Sequence, residues 1–151
     1  MLNLTIDRII KQLLLLGFCG FILFVSGQEQ VLADVVVIAH KSLGVDSISA
    51  KEAKKVWLGK TKSLGDTSLK LADLPLGNKS RDHFYSKVVK KSAKKLKAYW
   101  AKIVFSGKGI PPKSFGSDAA VVSWVASTPG AVGYVGRGAT DDSVKVLMIS
   151  Q

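Results

Sequence analysis

The chain has 151 residues, a formal net charge of +11 at pH 7 and a single cysteine. One cysteine excludes an intramolecular disulfide framework, and the length suits one ordinary domain with a packed core. The basic balance favours anionic partners, namely phosphate-bearing ligands, anionic lipid headgroups, acidic proteins or nucleic acid. A lysine-rich surface that only keeps the protein soluble would produce the same charge.

The N-terminal segment is typical of an export signal. Arg8 and Lys11 precede a short apolar run, 13–25, and small residues follow it after a polar stretch. This pattern predicts a cleaved signal peptide over 1–33 and one periplasmic domain over 34–151. The run is short for a spanning helix, which needs about 20 apolar residues. An uncleaved membrane anchor is the alternative.

The positive charge belongs to the predicted domain, because the charges within the signal cancel. Nine basic residues lie between Lys79 and Lys102, and only Asp82 opposes them. Export makes nucleic acid the least expected of the anionic partners.

The first half of the domain predicts two strands and a helix. Residues 34–40 are rich in β-branched side chains, which is typical of a strand buried on both faces in a sheet covered by helices. Ser49 and Glu52 have the spacing of a capping box, so a helix is predicted over 47–59. A second strand is predicted over 68–77.

Three helices are predicted next, over 78–91, 92–109 and 117–128. The middle one carries an apolar stripe at helical spacing: Leu96, Tyr99, Trp100, Ile103 and Val104. Strands over 131–136 and 143–150 end the chain. Strands mixed with helices in this order predict an α/β domain with a mainly parallel sheet flanked by helices.

A glycine, Gly133, lies inside the strand predicted over 131–136. Glycine weakens a strand interior and marks a place where another group approaches the backbone closely. We therefore expect a neighbouring chain segment or a ligand to lie against Gly133.

The predicted domain has no constellation typical of catalysis. It has no cysteine nucleophile, and its two histidines, His40 and His83, lack the partner that general-base chemistry requires. No cluster has metal-ligand spacing and no phosphate-binding glycine motif is present. Neither an enzyme nor a bound cofactor or metal is expected.

Helix N-termini offer a different chemistry, because their unpaired amides and the helix dipole favour anions. The best candidate is the segment GNKSR, with Gly77, Asn78, Ser80 and Arg81 as predicted ligand-binding residues. Ser42, after the first strand, is a weaker member of the set. Ordinary helix capping in a basic protein is the alternative.

Three stretches carry a resemblance to a known family: SISAKEAKKVWLGKTKSLGD, LPLGNKSRDHFY and SDAAVVSWVASTPGAVGYV. The chain resembles the phosphate-binding protein of ABC-type phosphate uptake, a type II periplasmic binding protein. The resemblance implies a binding-protein lobe that holds phosphate and works with an ABC permease. Two departures stand out. The length suits one lobe, or a shortened pair that lacks much of the second, and Asn78–Arg81 replaces the Ser-Gly-Thr loop of the family. A single lobe implies weaker binding.

The leading hypothesis is an exported solute-binding domain that binds phosphate or a related oxyanion without chemistry, within or beside an ABC-type uptake system. The alternative is a degenerate lobe that holds an acidic envelope partner through a lysine-rich face. That face consists of Lys87, Lys90, Lys91, Lys94 and Lys95.

Overall fold

The computed structural model describes residues 34–150, and the predicted signal, 1–33, lies outside the described residues. The strands are β1 (Val35–Ala39), β2 (Ser63–Leu64), β3 (Thr67–Ser68), β4 (Lys70–Asp73), β5 (Lys113–Ser114), β6 (Ala131–Gly136) and β7 (Lys145–Ser150). The α-helices are α1 (Ala50–Trp57), α2 (Lys79–Phe84), α3 (Ala93–Phe105) and α4 (Asp118–Ser127). A π-helical turn, Tyr85–Val89, extends α2, and a 3₁₀ turn, Arg137–Ala139, follows β6. None of the helices in 34–150 is long and apolar enough to cross a membrane.

The main sheet has the strand order β5-β4-β6-β1-β7, and β2 pairs with β3 in a separate small hairpin. Strand β4 is parallel to β5 and β6, whereas β1 is antiparallel to both β6 and β7. Four strands of the described sheet therefore share one direction and β1 alone is reversed. The predicted α/β class, with a mainly parallel sheet flanked by helices, is confirmed.

Aromatic side chains from three elements meet in the core. The Trp57 and Phe84 ring centroids are 4.8 Å apart, and the Phe84 ring stacks on Tyr134 at 4.0 Å. The Trp57 indole N–H donates to the backbone oxygen of Ala72 at 3.2 Å. These contacts join α1, α2 and β6, and they fix the end of α2 against the sheet.

Gly133 allows helix α4 to pack directly on strand β6. A Cβ at this position would lie 2.6 Å from Cγ1 of Val121 and 3.3 Å from Cγ2 of Val125. The expected close approach is confirmed, and the approaching group is a helix.

Several element boundaries differ from the predicted ones. Strand β4 ends at Asp73, because the Leu74 amide donates to the Asp73 carboxylate and to the Tyr134 hydroxyl. The helix predicted over 78–91 ends where Lys90 adopts a left-handed conformation, with φ of 58°. Val104, a member of the apolar stripe of α3, lies near the end of the helix and is 49% exposed.

Candidate functional site

The turn between β4 and α2 contains most of the predicted binding residues. Gly77 has a φ of 82°, which is a left-handed conformation that favours glycine. Asn78 then caps α2, and its side-chain oxygen accepts from the Arg81 amide at 3.2 Å. The amides of Lys79 and Ser80 have no acceptor among the described residues, as is usual in the first turn of a helix.

Three donors, two from the start of α2 and one from the end of β6, converge on the carboxylate of Asp118 in the first turn of α4. Ser80 Oγ donates to it at 2.9 Å, the Gly136 amide at 2.7 Å and Asn78 Nδ2 at 3.5 Å. Ser80 is only 7% exposed, so its hydroxyl needs such an acceptor. This arrangement holds a negatively charged oxygen group, and in this structure the group belongs to the protein.

The cation of the site is Arg81, whose side chain is 11% exposed. Its Nε lies 3.4 Å from Oδ1 of Asp73, and its guanidinium carbon lies 4.8 Å from the centre of the Tyr85 ring. The terminal guanidinium nitrogens donate no hydrogen bond to a described residue. Nε also has no hydrogen-bond partner among the described residues. The ion pair with Asp73 and the contact with the Tyr85 ring therefore position Arg81, and its guanidinium keeps unused donors.

Beneath Arg81, the Asp73 carboxylate is fixed by hydroxyl and amide donors. Tyr85 donates to Oδ2 at 2.9 Å, the Leu74 amide donates to Oδ1 at 2.8 Å, and Tyr134 donates to Oδ1 as well. Burial raises the pKa of the Tyr85 and Tyr134 hydroxyls well above the ordinary value for tyrosine, and the negative charge of Asp73 raises both pKa values further. Both tyrosines therefore stay protonated and keep their donor role.

Ser42 does not join the other predicted site residues. Because β1 is antiparallel to β6, Ala39 at the end of β1 pairs with Val132 near the start of β6. Ser42, which follows β1, therefore lies at one end of the strands, and the β4–α2 turn lies at the opposite end. Its amide and its hydroxyl both bond to the ring nitrogen Nδ1 of His40, at 3.1 and 2.7 Å. Ser42 lies apart from the other predicted residues because β1 runs in the reverse direction, and a run of β-branched residues does not reveal the direction of a strand.

Sequence reasoning missed the two carboxylates of the site. Asp73 stands between apolar Ala72 and Leu74 in a predicted strand, and an acid in that setting signals a buried, paired carboxylate. Asp118 gives no comparable signal, because an acid in the first turn of a helix is ordinary. Within 34–150, no group of three or more metal-ligating side chains is positioned to hold an ion.

No family model matches the chain, and no curated protein matches it. Solved structures do match its fold. A Clostridium perfringens protein assigned as a phosphate ABC transporter substrate-binding protein, with bound phosphate, is 21% identical with a TM-score of 0.62, over 77% of this chain and 45% of that one. An ABC-type phosphate transport receptor from Vibrio cholerae is 16% identical with a TM-score of 0.62, over 78% and 47%. PstS from Borrelia burgdorferi is 13% identical with a TM-score of 0.58, over 76% and 46%.

These likenesses establish the fold, which is that of periplasmic binding proteins, as the resemblance implied. The chain spans about half the length of the solved structures that it matches.

Proposed function

We propose that this chain binds phosphate or a related oxyanion, without chemistry, at the turn between β4 and α2. Asn78, Ser80 and Arg81 are the proposed ligands, together with the first amides of α2. Gly77 supplies the backbone conformation that the turn requires. Two of the matched structures have the same fold and are described as phosphate-transport proteins.

The observation that carries the proposal is the convergence of donors on the Asp118 carboxylate. A hydroxyl, a side-chain amide and a backbone amide that meet around one anionic group are the elements of an oxyanion site. The guanidinium group of Arg81, in the first turn of α2, adds donors that no described residue uses. An external oxyanion would compete with Asp118 for Ser80 and Asn78, so the affinity is expected to be modest.

The proposal is tested by calorimetric titration of the full chain with inorganic phosphate, with Arg81→Ala as the test variant. Loss of a charged donor pair to an anion weakens binding by about tenfold or more. The matched control is Arg137→Ala, because Arg137 is an exposed arginine that pairs with Asp34 instead. Equal affinity in wild type and Arg81→Ala, or no heat in any of the three proteins, would contradict the proposal.

We extend the proposal to the place of action. The basic, apolar and small-residue pattern of 1–33 supports export, with a domain over 34–151 in the periplasm. The fold of the transport receptors supports a role within or beside an ABC-type uptake system, with its permease as partner.

A second candidate function rests on the lysine-rich face. Its five lysines lie in the π-helical turn, in the link that follows it and in the first turn of α3, and none of them forms an ion pair with a described carboxylate. Unpaired ammonium groups on one face favour an acidic partner. On this hypothesis polyglutamate binds the protein at low salt and is released at high salt, and Arg81→Ala leaves that binding unchanged.

A further inference from the structure

A groove opens beside the start of β4, away from the turn that leads into α2. Its volume is about 770 Å³, within the range of roughly 300–1,000 Å³ typical of clefts for small organic ligands. The segment 58–62 that follows α1, the start of β4, helix α3 and the segment 108–113 contribute its walls. The proposed oxyanion ligands do not line it, so a ligand bound in this groove is independent of the proposed function.

The groove has a largely apolar wall that includes three aromatic rings. The side chains that form this wall include Leu71, Tyr99, Trp100, Ile103 and Trp124. Ile110 also lines the groove and is 83% exposed. A bare inorganic ion would leave this apolar surface in water, whereas an organic body would cover it.

The charged residues of the groove are all of one sign. Five exposed lysines contribute to it: Lys60, Lys62, Lys70, Lys108 and Lys113. Among the described residues that line it there is no aspartate or glutamate, and none of these lysines is paired with a described carboxylate. Such a surplus of ammonium groups beside an apolar wall is complementary to an anionic group attached to an apolar body.

We propose that this groove binds a free, single-chain amphipathic anion. The apolar body lies along Trp100 and Trp124, and the anionic head lies among the lysines at the rim. The volume suits a small molecule, and the apolar wall requires more than phosphate alone.

The test is a fluorescence titration of the full chain with ω-bromododecanoate, whose bromine quenches tryptophan on contact. Residues 1–33 contain no tryptophan and Trp57 is fully buried, so quenching reports on the two tryptophans of the groove. We expect saturable quenching at one site per chain. The uncharged analogue ω-bromododecanol should bind at least about tenfold more weakly, because it lacks the attraction to the lysines.

Two triple variants separate the groove from general charge. The groove variant combines Lys60→Ala, Lys108→Ala and Lys113→Ala, and its affinity for bromododecanoate should be about tenfold lower than that of the wild type. The control variant combines Lys90→Ala, Lys94→Ala and Lys95→Ala, and its affinity should differ from the wild type by less than about twofold. Both triples remove the same charge from exposed positions, and thermal unfolding verifies that both fold.

The proposal is overturned by an absence of quenching below the micelle-forming concentration. Equal losses of bromododecanoate affinity in the two triple variants would overturn it as well. So would an affinity for bromododecanol equal to that for bromododecanoate. Binding of polyglutamate in this groove without binding of bromododecanoate would also overturn it and assign the groove to an acidic peptide.

Discussion

At the scale of single residues, the buried Asp73 carboxylate organises the end of the sheet. It receives hydrogen bonds from two tyrosine hydroxyls and one amide, and it holds Arg81 at the start of α2. A buried charge is tolerated only when such partners surround it. The position of Arg81, and with it the proposed site, therefore depends on residues that touch no ligand.

Replacing Tyr134 tests this dependence. Tyr134→Phe removes a donor from a buried carboxylate and should lower the free energy of unfolding by about 1–3 kcal/mol. Urea unfolding of the full chain measures the change. Tyr99→Phe is the control, because the Tyr99 hydroxyl donates to an uncharged acceptor, the Leu58 carbonyl oxygen, at 2.6 Å. If Tyr134→Phe lowers the free energy of unfolding no more than Tyr99→Phe does, the hydrogen bond from Tyr134 does not stabilise the Asp73 carboxylate.

Residue roles were harder to predict than residue positions. The capping box of Ser49 and Glu52 was predictable because local spacing specifies it, and it is confirmed. The partners of Asp73 lie up to 61 positions away, and no local pattern encodes contacts of that range. Oxyanion binding by Asn78, Ser80 and Arg81 stays a prediction.

At the scale of elements, Gly133 sets how closely α4 approaches β6. Gly133→Ala should lower the free energy of unfolding by about 1–3 kcal/mol, because the added methyl group overlaps Val121. The control is Gly138→Ala, since a Cβ there meets nothing within 4 Å. Chemical denaturation measures the free energy of unfolding of both variants. Equal values for the two variants would mean that α4 can move away from β6 at little cost.

The long elements were predictable and the short ones were not. The stretches that became β1, α1, α4 and β6 carry strong periodicity or caps, and their predicted bounds agree with the structure within a few residues. The two-residue strands β2, β3 and β5 are too short to show a period. The reversed direction of β1 depends on which strands pair, so the distance between Ser42 and the other predicted site residues could not be read from the sequence.

At the scale of the whole molecule, the chain shares its fold with the matched structures and spans about half of their length. Here a carboxylate of the protein already lies among the donors. We propose that an external oxyanion competes with Asp118 for those donors.

The most direct test is the phosphate affinity of Asp118→Asn, measured by calorimetry on the full chain. The substitution keeps the shape of the side chain and removes a like charge, whose repulsion of about 1 kcal/mol or more corresponds to at least about fivefold in affinity. Asp142→Asn removes the same charge from an exposed residue and should leave the affinity unchanged. Tighter binding in Asp118→Asn alone is the predicted result. Unchanged or weaker binding in that variant would contradict the account and leave Asp118 as a structural anchor between α4, α2 and β6.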